Sequence, residues 1–212
     1  VTREVDYESN VITENTRAAY PLEYIENTQL PSLAGHPSNV IFLTCDASGV
    51  LPPISRLTPE QAMYQFLSGY TARVAGTEMG VLQPQLAFSP CYSAAFLVRR
   101  PVVYARLLSE KIRQHNAQAW LVNTGWTGGG IGLGKRIDLA STRCIIDAIH
   151  GESLQDMPTD RDSVFGLEAV CRVPGVSDRM LVPRNAWSDA IAWEDAARAL
   201  SEKFRQNFVP FA

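Results

Sequence analysis

The sequence has few of the residues and spacings that metal sites and disulfide frameworks require. Its 212 residues include 3 histidines, which are dispersed and form no His-x-x-x-His pair. The 4 cysteines lie far apart without a Cys-x-x-Cys spacing, so neither a zinc site nor a disulfide framework is expected, and a reducing compartment is favoured. No Ser–His–Asp pattern is visible. From these residues we predict no metal site held by this chain, and we find no catalytic set.

The chain also lacks an excess of positive charge and any long apolar run. Its formal net charge is −3 at pH 7, which argues against a surface for nucleic acid or anionic membranes, so any phosphate affinity has to be local. No apolar run approaches the ~18 residues of a membrane span, and the first residues do not form a signal peptide. We therefore expect neither a nucleic-acid nor a membrane partner. The missing initial methionine suggests a fragment or a processed piece.

What is present is the hydrophobic pattern of an α/β domain. The length allows one large domain or two small ones with a substantial core. Alternating or continuous apolar runs predict strands at residues 1–7, 39–45, 119–122 and 165–171. Helical spacing predicts helices at residues 102–115 and 141–150, one that begins after Thr58 with a capping box of Thr58 and Gln61, and one capped by Ser188.

The apolar run at residues 39–45 is the clearest strand, and its continuity predicts a central strand covered on both faces. Asp46 follows it, at the position where α/β folds place site residues. Alternatively, the Asp46 carboxylate satisfies its own turn. Further on, irregular chain at residues 71–90 predicts a functional loop or lid, because structureless connections of this length are uncommon in compact domains.

A glycine-rich segment at residues 119–143 joins a strand, two adjacent cations (Lys135 and Arg136) and a helix expected to start near Ser141. Glycines let the backbone approach an anion, and cations and helix N–H groups stabilise it, so the segment predicts polyphosphate binding. Residues 129–135 fit the G-x-x-x-x-G-K frame, but Arg136 stands where a P-loop needs Ser or Thr, so this is not a Walker A motif. The alternative is a flexible glycine hairpin whose cations are only solvated.

Several long runs carry a family resemblance. They are ITENTRAAYPLEYI, GHPSNVIFLTCDASGVLPPISRLTPEQAMYQFLSGYTARVAGTE, WLVNTGWTGGGIGLGKRIDLASTRCIIDAI and PRNAWSD. With them the sequence closely resembles the C-terminal part of the ATP-dependent phosphoenolpyruvate carboxykinases. The resemblance implies a mixed sheet flanked by helices, forming an incomplete C-terminal nucleotide-binding and lid portion over residues 1–212.

The resemblance also implies roles for four residues. Arg17 matches an arginine that contacts both the nucleotide phosphates and the carboxylate-bearing substrate, although its residue type alone would make it a solvated side chain. Arg136, Ile137 and Thr142 match residues that line the nucleotide site. Residues 71–88 match the mobile lid.

The implied reaction is the lyase step of gluconeogenesis, in which oxaloacetate and ATP give phosphoenolpyruvate, ADP and CO₂. The family's P-loop and its Mn²⁺ or Mg²⁺ ligands match nothing in this chain. The resemblance therefore implies a missing N-terminal portion of the same polypeptide, no turnover by the isolated chain, and a cytoplasmic location, with an organellar one left open. The alternative function is a non-catalytic nucleotide-binding or regulatory module derived from the same fold.

Overall fold

The computed structural model describes residues 19–73 and 85–211, together with positions 6, 9 and 11. The strand predicted at residues 1–7, apart from position 6, lies outside the described part, as do residues 74–84 at the centre of the predicted lid and Arg17. None of the described helices is both long enough and apolar enough to cross a bilayer.

The described strands occur in runs of two or three that are separated by helices. The strands are β1 (Asn39–Thr44), β2 (Ile54–Leu57), β3 (Tyr70–Arg73), β4 (Gln85–Phe88), β5 (Gln118–Asn123), β6 (Trp126–Thr127), β7 (Lys135–Arg136), β8 (Thr159–Arg161) and β9 (Glu168–Val170). The helices are α1 (Pro59–Ser68), α2 (Pro101–Gln114), α3 (Leu139–His150), α4 (Asp178–Leu181), α5 (Pro183–Ala186) and α6 (Ala190–Phe208).

Five strands form a mixed sheet in the order β1-β5-β2-β9-β8. Only β1 and β5 run parallel; the other neighbours are antiparallel. Alternate side chains of β5 point to opposite faces of the sheet, and helices pack on both faces. Leu121 packs in a cluster with residues of α1, α2 and α6, whereas Trp120 and Val122 pack with Ile145 and Ile149 of α3. The expected mixed α/β sheet flanked by helices is confirmed.

The prediction that residues 39–45 form the central strand is wrong. Among the described residues β1 is an edge strand with β5 as its one neighbour, and Leu43 is 57% exposed. The central position belongs to β5, which pairs with both β1 and β2. A continuous apolar run shows that both faces of a strand are apolar, but it carries no information on how many neighbours its edges have.

The helix boundaries follow local capping chemistry. Thr58 and Gln61 form the expected capping box at the start of α1, with Pro59 as its first residue. Two other helices begin differently from the prediction. α3 begins at Leu139, ahead of the start expected near Ser141, and Asp138 caps it; Asp189 rather than Ser188 caps α6. In both cases an aspartate side chain accepts the free N–H groups.

Two stretches contain more regular structure than the sequence predicts. The ends of the expected irregular stretch 71–90 are ordered, because β3 and β4 pair as an antiparallel ribbon. The strand predicted at residues 165–171 is shorter, and it forms a hairpin with β8 that the sequence did not indicate. Both strands of that hairpin are three residues long, which is too short to show a period of two.

Candidate functional site

The turn after β1 is built around the fully buried side chain of Asp46. Its carboxylate accepts hydrogen bonds from the backbone N–H groups of Ser48, Val50 and Leu51, at 2.7–2.9 Å. The Tyr70 hydroxyl donates a fourth, at 2.9 Å. Burial raises the pKa of Tyr70, and the Asp46 carboxylate raises it further, so the phenol remains a donor. Two roles were open for the Asp46 carboxylate, a functional site or its own turn. The structure shows that it stabilises its own turn.

Asn123, at the end of β5, connects the Asp46 turn to Gly125 through side-chain hydrogen bonds. Its side-chain oxygen accepts from the N–H groups of Asp46 (3.0 Å) and Gly125 (2.8 Å), and its amide donates to the Leu51 carbonyl (3.0 Å). The sequence analysis missed this residue. Its signal was a polar side chain at the carboxyl end of a buried strand, where parallel strands place site residues.

The glycine-rich segment is a hairpin whose strands are β6 and β7, and it is docked on the Asp46 turn. The Trp126 N–H donates to the Asp46 carbonyl at 2.8 Å, and the Ile131 N–H donates to the Ala47 carbonyl at 3.1 Å. A Cβ added to Gly49 would lie 2.0 Å from the Gly129 carbonyl oxygen. The segment is a hairpin, as in the alternative of a flexible glycine hairpin with solvated cations. However, backbone hydrogen bonds to Asp46 and Ala47 hold the hairpin against the turn.

The two cations of the hairpin occupy opposite faces of β7, because side chains alternate along a strand. Lys135 lines an open cleft of about 610 Å³ together with Arg179 and Met180. Arg136 lies over Trp126 instead. Since Lys135 is on a strand and α3 begins only at Leu139, the segment does not have the strand–loop–helix arrangement of a P-loop.

The Arg136 side chain is exposed but held in place. Its Nε–H donates to the Thr124 carbonyl at 3.2 Å, and its guanidinium carbon lies 5.7 Å from the centre of the Trp126 ring. Burial raises the pKa of the Cys45 thiol, and the charge of Arg136 acts in the opposite direction. The guanidinium is therefore fixed at the carboxyl end of β1, with N–H donors still available.

Ile137 follows Arg136 directly, and Thr142 lies in the first turn of α3. Ile137 is buried, and its N–H donates to the Gly125 carbonyl at 2.7 Å. The Thr142 hydroxyl donates to the Asp138 carbonyl at 3.1 Å. The backbone N–H and the hydroxyl of Ser141 hold the pKa of Asp138 below its usual value, so an ionised carboxylate occupies the start of α3. An anion at this helix end would meet a negative charge, which leaves the Arg136 guanidinium as the better anion partner.

The β3–β4 ribbon reaches the same region. Cys45 and Ala72 pack in one small cluster with Leu86 and Trp126 at its border. The ribbon thus packs in the same cluster as the Trp126 ring beneath Arg136. Among the described residues, no group of three or more His, Cys, Asp or Glu side chains is arranged to hold a metal ion.

Comparison with known proteins relates the sequence to one enzyme family. The family model for phosphoenolpyruvate carboxykinase matches residues 1–179. The chain is 55% identical over 210 residues to phosphoenolpyruvate carboxykinase (ATP) 2 of Salinibacter ruber, covering 99% of this chain and 40% of that protein. It is 54% identical over 211 residues to the Geobacillus thermodenitrificans enzyme and 51% identical over 210 residues to the Dictyostelium discoideum enzyme. In these two the match covers 100% and 99% of this chain, but 40% and 37% of the relatives.

The chain therefore spans about two fifths of the length of these relatives. The family match nevertheless extends over most of the chain, from β1 through α3 and the hairpin between them. On these grounds the chain belongs to the ATP-dependent phosphoenolpyruvate carboxykinase family.

Proposed function

We propose that this chain, over residues 1–212, is the C-terminal nucleotide-binding and lid portion of an ATP-dependent phosphoenolpyruvate carboxykinase. The proposed reaction converts oxaloacetate and ATP to phosphoenolpyruvate, ADP and CO₂. The names of relatives at 51–55% identity support it. The structural observation that carries it is Arg136, an exposed cation fixed beside Trp126 on a hairpin that is hydrogen-bonded to the Asp46 turn.

In this proposal Arg136, Ile137 and Thr142 form one wall of the ATP site. The Arg136 guanidinium has N–H donors beyond its bond to Thr124, and it supplies charge-assisted hydrogen bonds to the nucleotide. The side chain of Ile137 is buried, so its contribution comes from the backbone. The Thr142 hydroxyl already donates to Asp138, which leaves its oxygen to accept a hydrogen bond from the ligand.

Arg17 and the lid complete the proposed site. Arg17 bridges nucleotide phosphate and substrate carboxylate, and residues 71–88 close over them and exclude water from the enolate intermediate. A divalent metal, Mn²⁺ or Mg²⁺, is held by residues outside this chain in this proposal. We further propose that the enzyme acts in gluconeogenesis in the cytoplasm.

Arg136→Ala tests the nucleotide wall. It is expected to weaken ATP binding by about tenfold or more, because a charge-assisted hydrogen bond is lost. Thr142→Val should weaken it less. Lys135→Ala is the matched control, since it removes a neighbouring cation from the opposite face of β7. The measurement is calorimetric titration with ATP of a longer polypeptide that carries this chain, together with Mn²⁺ titration in the absence of nucleotide. An unchanged ATP affinity in Arg136→Ala, with lost metal binding in Lys135→Ala, would contradict the proposal.

Arg17→Ala tests the catalytic assignment. In the longer polypeptide it should lower kcat/KM by about 10²-fold or more, with a loss in kcat, because charge stabilisation that grows in the transition state is removed. Arg17→Lys should restore little, since a point charge cannot reproduce a bidentate guanidinium. Steady-state assays of phosphoenolpyruvate formation measure both, with Arg106→Ala, an exposed arginine on α2, as the control. Kinetics of Arg17→Ala that match those of Arg106→Ala would show that Arg17 is a solvated residue.

A further inference from the structure

The two edges of the five-stranded sheet differ in length and polarity. At one edge lies β8, a three-residue strand that is exposed throughout and contains Asp160 and Arg161. At the other edge lies β1, a six-residue strand without a charged side chain. Proteins keep solvent-facing edges short or charged, because a long apolar edge pairs with other backbone segments. β8 therefore has the form of an edge that faces solvent, and β1 does not.

The register of β1 against β5 shows which of its backbone groups have no partner in the sheet. The Ser38 and Thr44 carbonyls accept N–H groups of β5 and of the residue after it, both at 2.8 Å. Alternate residues of a parallel strand bond to the same neighbour, so the even-numbered residues of β1 face β5. Asn39, Ile41 and Leu43 direct their N–H and C=O groups to the other side, where no described strand lies.

Apolar side chains are exposed at this edge and in the segment that leads to it. Leu43 is 57% exposed, although it lies on the same face of β1 as Ile41, which packs with the cluster around α3. Residues 19–38 are exposed at every position except Thr28 and carry six large apolar side chains: Tyr20, Leu22, Tyr24, Ile25, Leu30 and Leu33. Apolar exposure on this scale marks an interaction surface.

We propose that the free edge of β1 pairs with an apolar strand from the part of the longer polypeptide that lies outside this chain. The relatives provide the source, because this chain covers 40% of the Salinibacter ruber enzyme and leaves about 60% of it unmatched. The added strand bonds to the N–H and C=O groups of Ile41 and Leu43, and it is apolar because helices cover both faces of the sheet. The inference rests on the proposed function, in which this chain is one portion of a carboxykinase.

Amide hydrogen exchange in the longer polypeptide, followed by NMR at single residues, tests this pairing. The reference for an unpaired edge is the Arg161 N–H, which points out of β8 because the next N–H, that of Asp162, bonds toward β9 at 3.0 Å. We expect the N–H groups of Ile41 and Leu43 to exchange at least about 100-fold more slowly than that of Arg161, and as slowly as that of Phe42, which faces β5. Exchange as fast as that of Arg161 would overturn the proposal.

Nuclear Overhauser contacts of the Ile41 and Leu43 amides identify the strand that pairs with them. Contacts with residues outside this chain that do not change with protein concentration support the proposal, whereas contacts within this chain or with a second copy overturn it. Phosphoenolpyruvate formation is assayed on the same sample. Turnover with rapid exchange of both amides contradicts the pairing alone, and slow exchange without turnover contradicts the proposed reaction alone.

Leu43→Pro tests the same edge by thermal denaturation of the longer polypeptide. Proline lacks the N–H group, which a strand tolerates where that group faces solvent but not inside a sheet. We expect Leu43→Pro to lower Tm by about 5 °C or more, or to prevent folding. The matched control is Arg161→Pro, at the outward position of β8, which should change Tm by less than about 2 °C. Equal Tm values for the two variants would show that the edge of β1 faces solvent.

Discussion

Replacement of Asp46 by alanine is expected to lower the free energy of unfolding by about 4 kcal/mol or more. The side chain is fully buried, and it is the acceptor for the N–H groups of Ser48, Val50 and Leu51 and for the Tyr70 hydroxyl. A buried donor left without an acceptor costs about 1–3 kcal/mol, and this substitution leaves three of them, together with the partly buried Ser48 N–H. Such a loss is large against a typical stability of about 5–15 kcal/mol.

Asp162→Ala is the matched control for this prediction. Asp162 also accepts three backbone N–H groups from the loop that follows it, those of Val164, Phe165 and Leu167. These groups are only partly buried, so water can replace the carboxylate. We expect a loss of about 1–2 kcal/mol for Asp162→Ala. Urea denaturation at neutral pH measures both variants, and equal losses would show that burial of the Asp46 carboxylate adds nothing.

The sequence could not decide whether the Asp46 carboxylate belongs to a functional site or stabilises its own turn. A short polar residue after an apolar strand fits a turn and a functional site equally well, because both use a carboxylate at the end of a strand. What decides between them is the number of donors that converge on the carboxylate. One of these, the Tyr70 hydroxyl, comes from a strand 24 residues further along the chain. No local pattern contains that information.

Features with local causes were predicted more reliably. The capping box at Thr58 depends on residues within one turn, and it has the expected form. The place of β1 in the sheet depends on its neighbours instead, and that prediction was wrong. The docking of the glycine hairpin on Ala47 was missed for the same reason, because the contact joins segments more than 80 residues apart.

In the candidate site, too, some features were predicted from the sequence and others required the structure. The cations Lys135 and Arg136 stood out in the sequence, but their separation onto two faces of β7 required the structure. The cation–π contact of Arg136 with Trp126 became visible only when the β6–β7 register was known. The assignments of Arg17, Ile137 and Thr142 came from family resemblance, and they remain predictions.

The second large effect is expected at Gly125, which precedes β6 and permits a close approach of the backbone to the Asp46 turn. A Cβ on Gly125 would lie 2.2 Å from the Asp46 carbonyl oxygen and 2.3 Å from its nitrogen. Both atoms are backbone, so neither can move aside as a flexible side chain would. We expect Gly125→Ala to cost about 3 kcal/mol or more, since the clash also disrupts the hydrogen bonds that Gly125 makes with Asn123 and Ile137.

Substitutions at two other glycines distinguish the cost of the steric clash from the cost of backbone strain. Gly132 has a φ of +85°, but nothing lies within 4 Å of its added Cβ, so Gly132→Ala should cost only the ~1–2 kcal/mol of a left-handed residue. Gly35 has neither a close neighbour nor a positive φ, and Gly35→Ala should be neutral or slightly stabilising. The loss of stability is therefore expected to be largest for Gly125→Ala, smaller for Gly132→Ala and smallest for Gly35→Ala, as measured by thermal and urea denaturation.

Because the hairpin positions Arg136, Gly125→Ala should also weaken ATP binding in the longer polypeptide, whereas Gly132→Ala should not. A Gly125→Ala variant with the stability of Gly132→Ala would show that the hairpin can move away from the Asp46 turn at little cost, and that its contacts with the turn do not hold the Arg136 guanidinium in place.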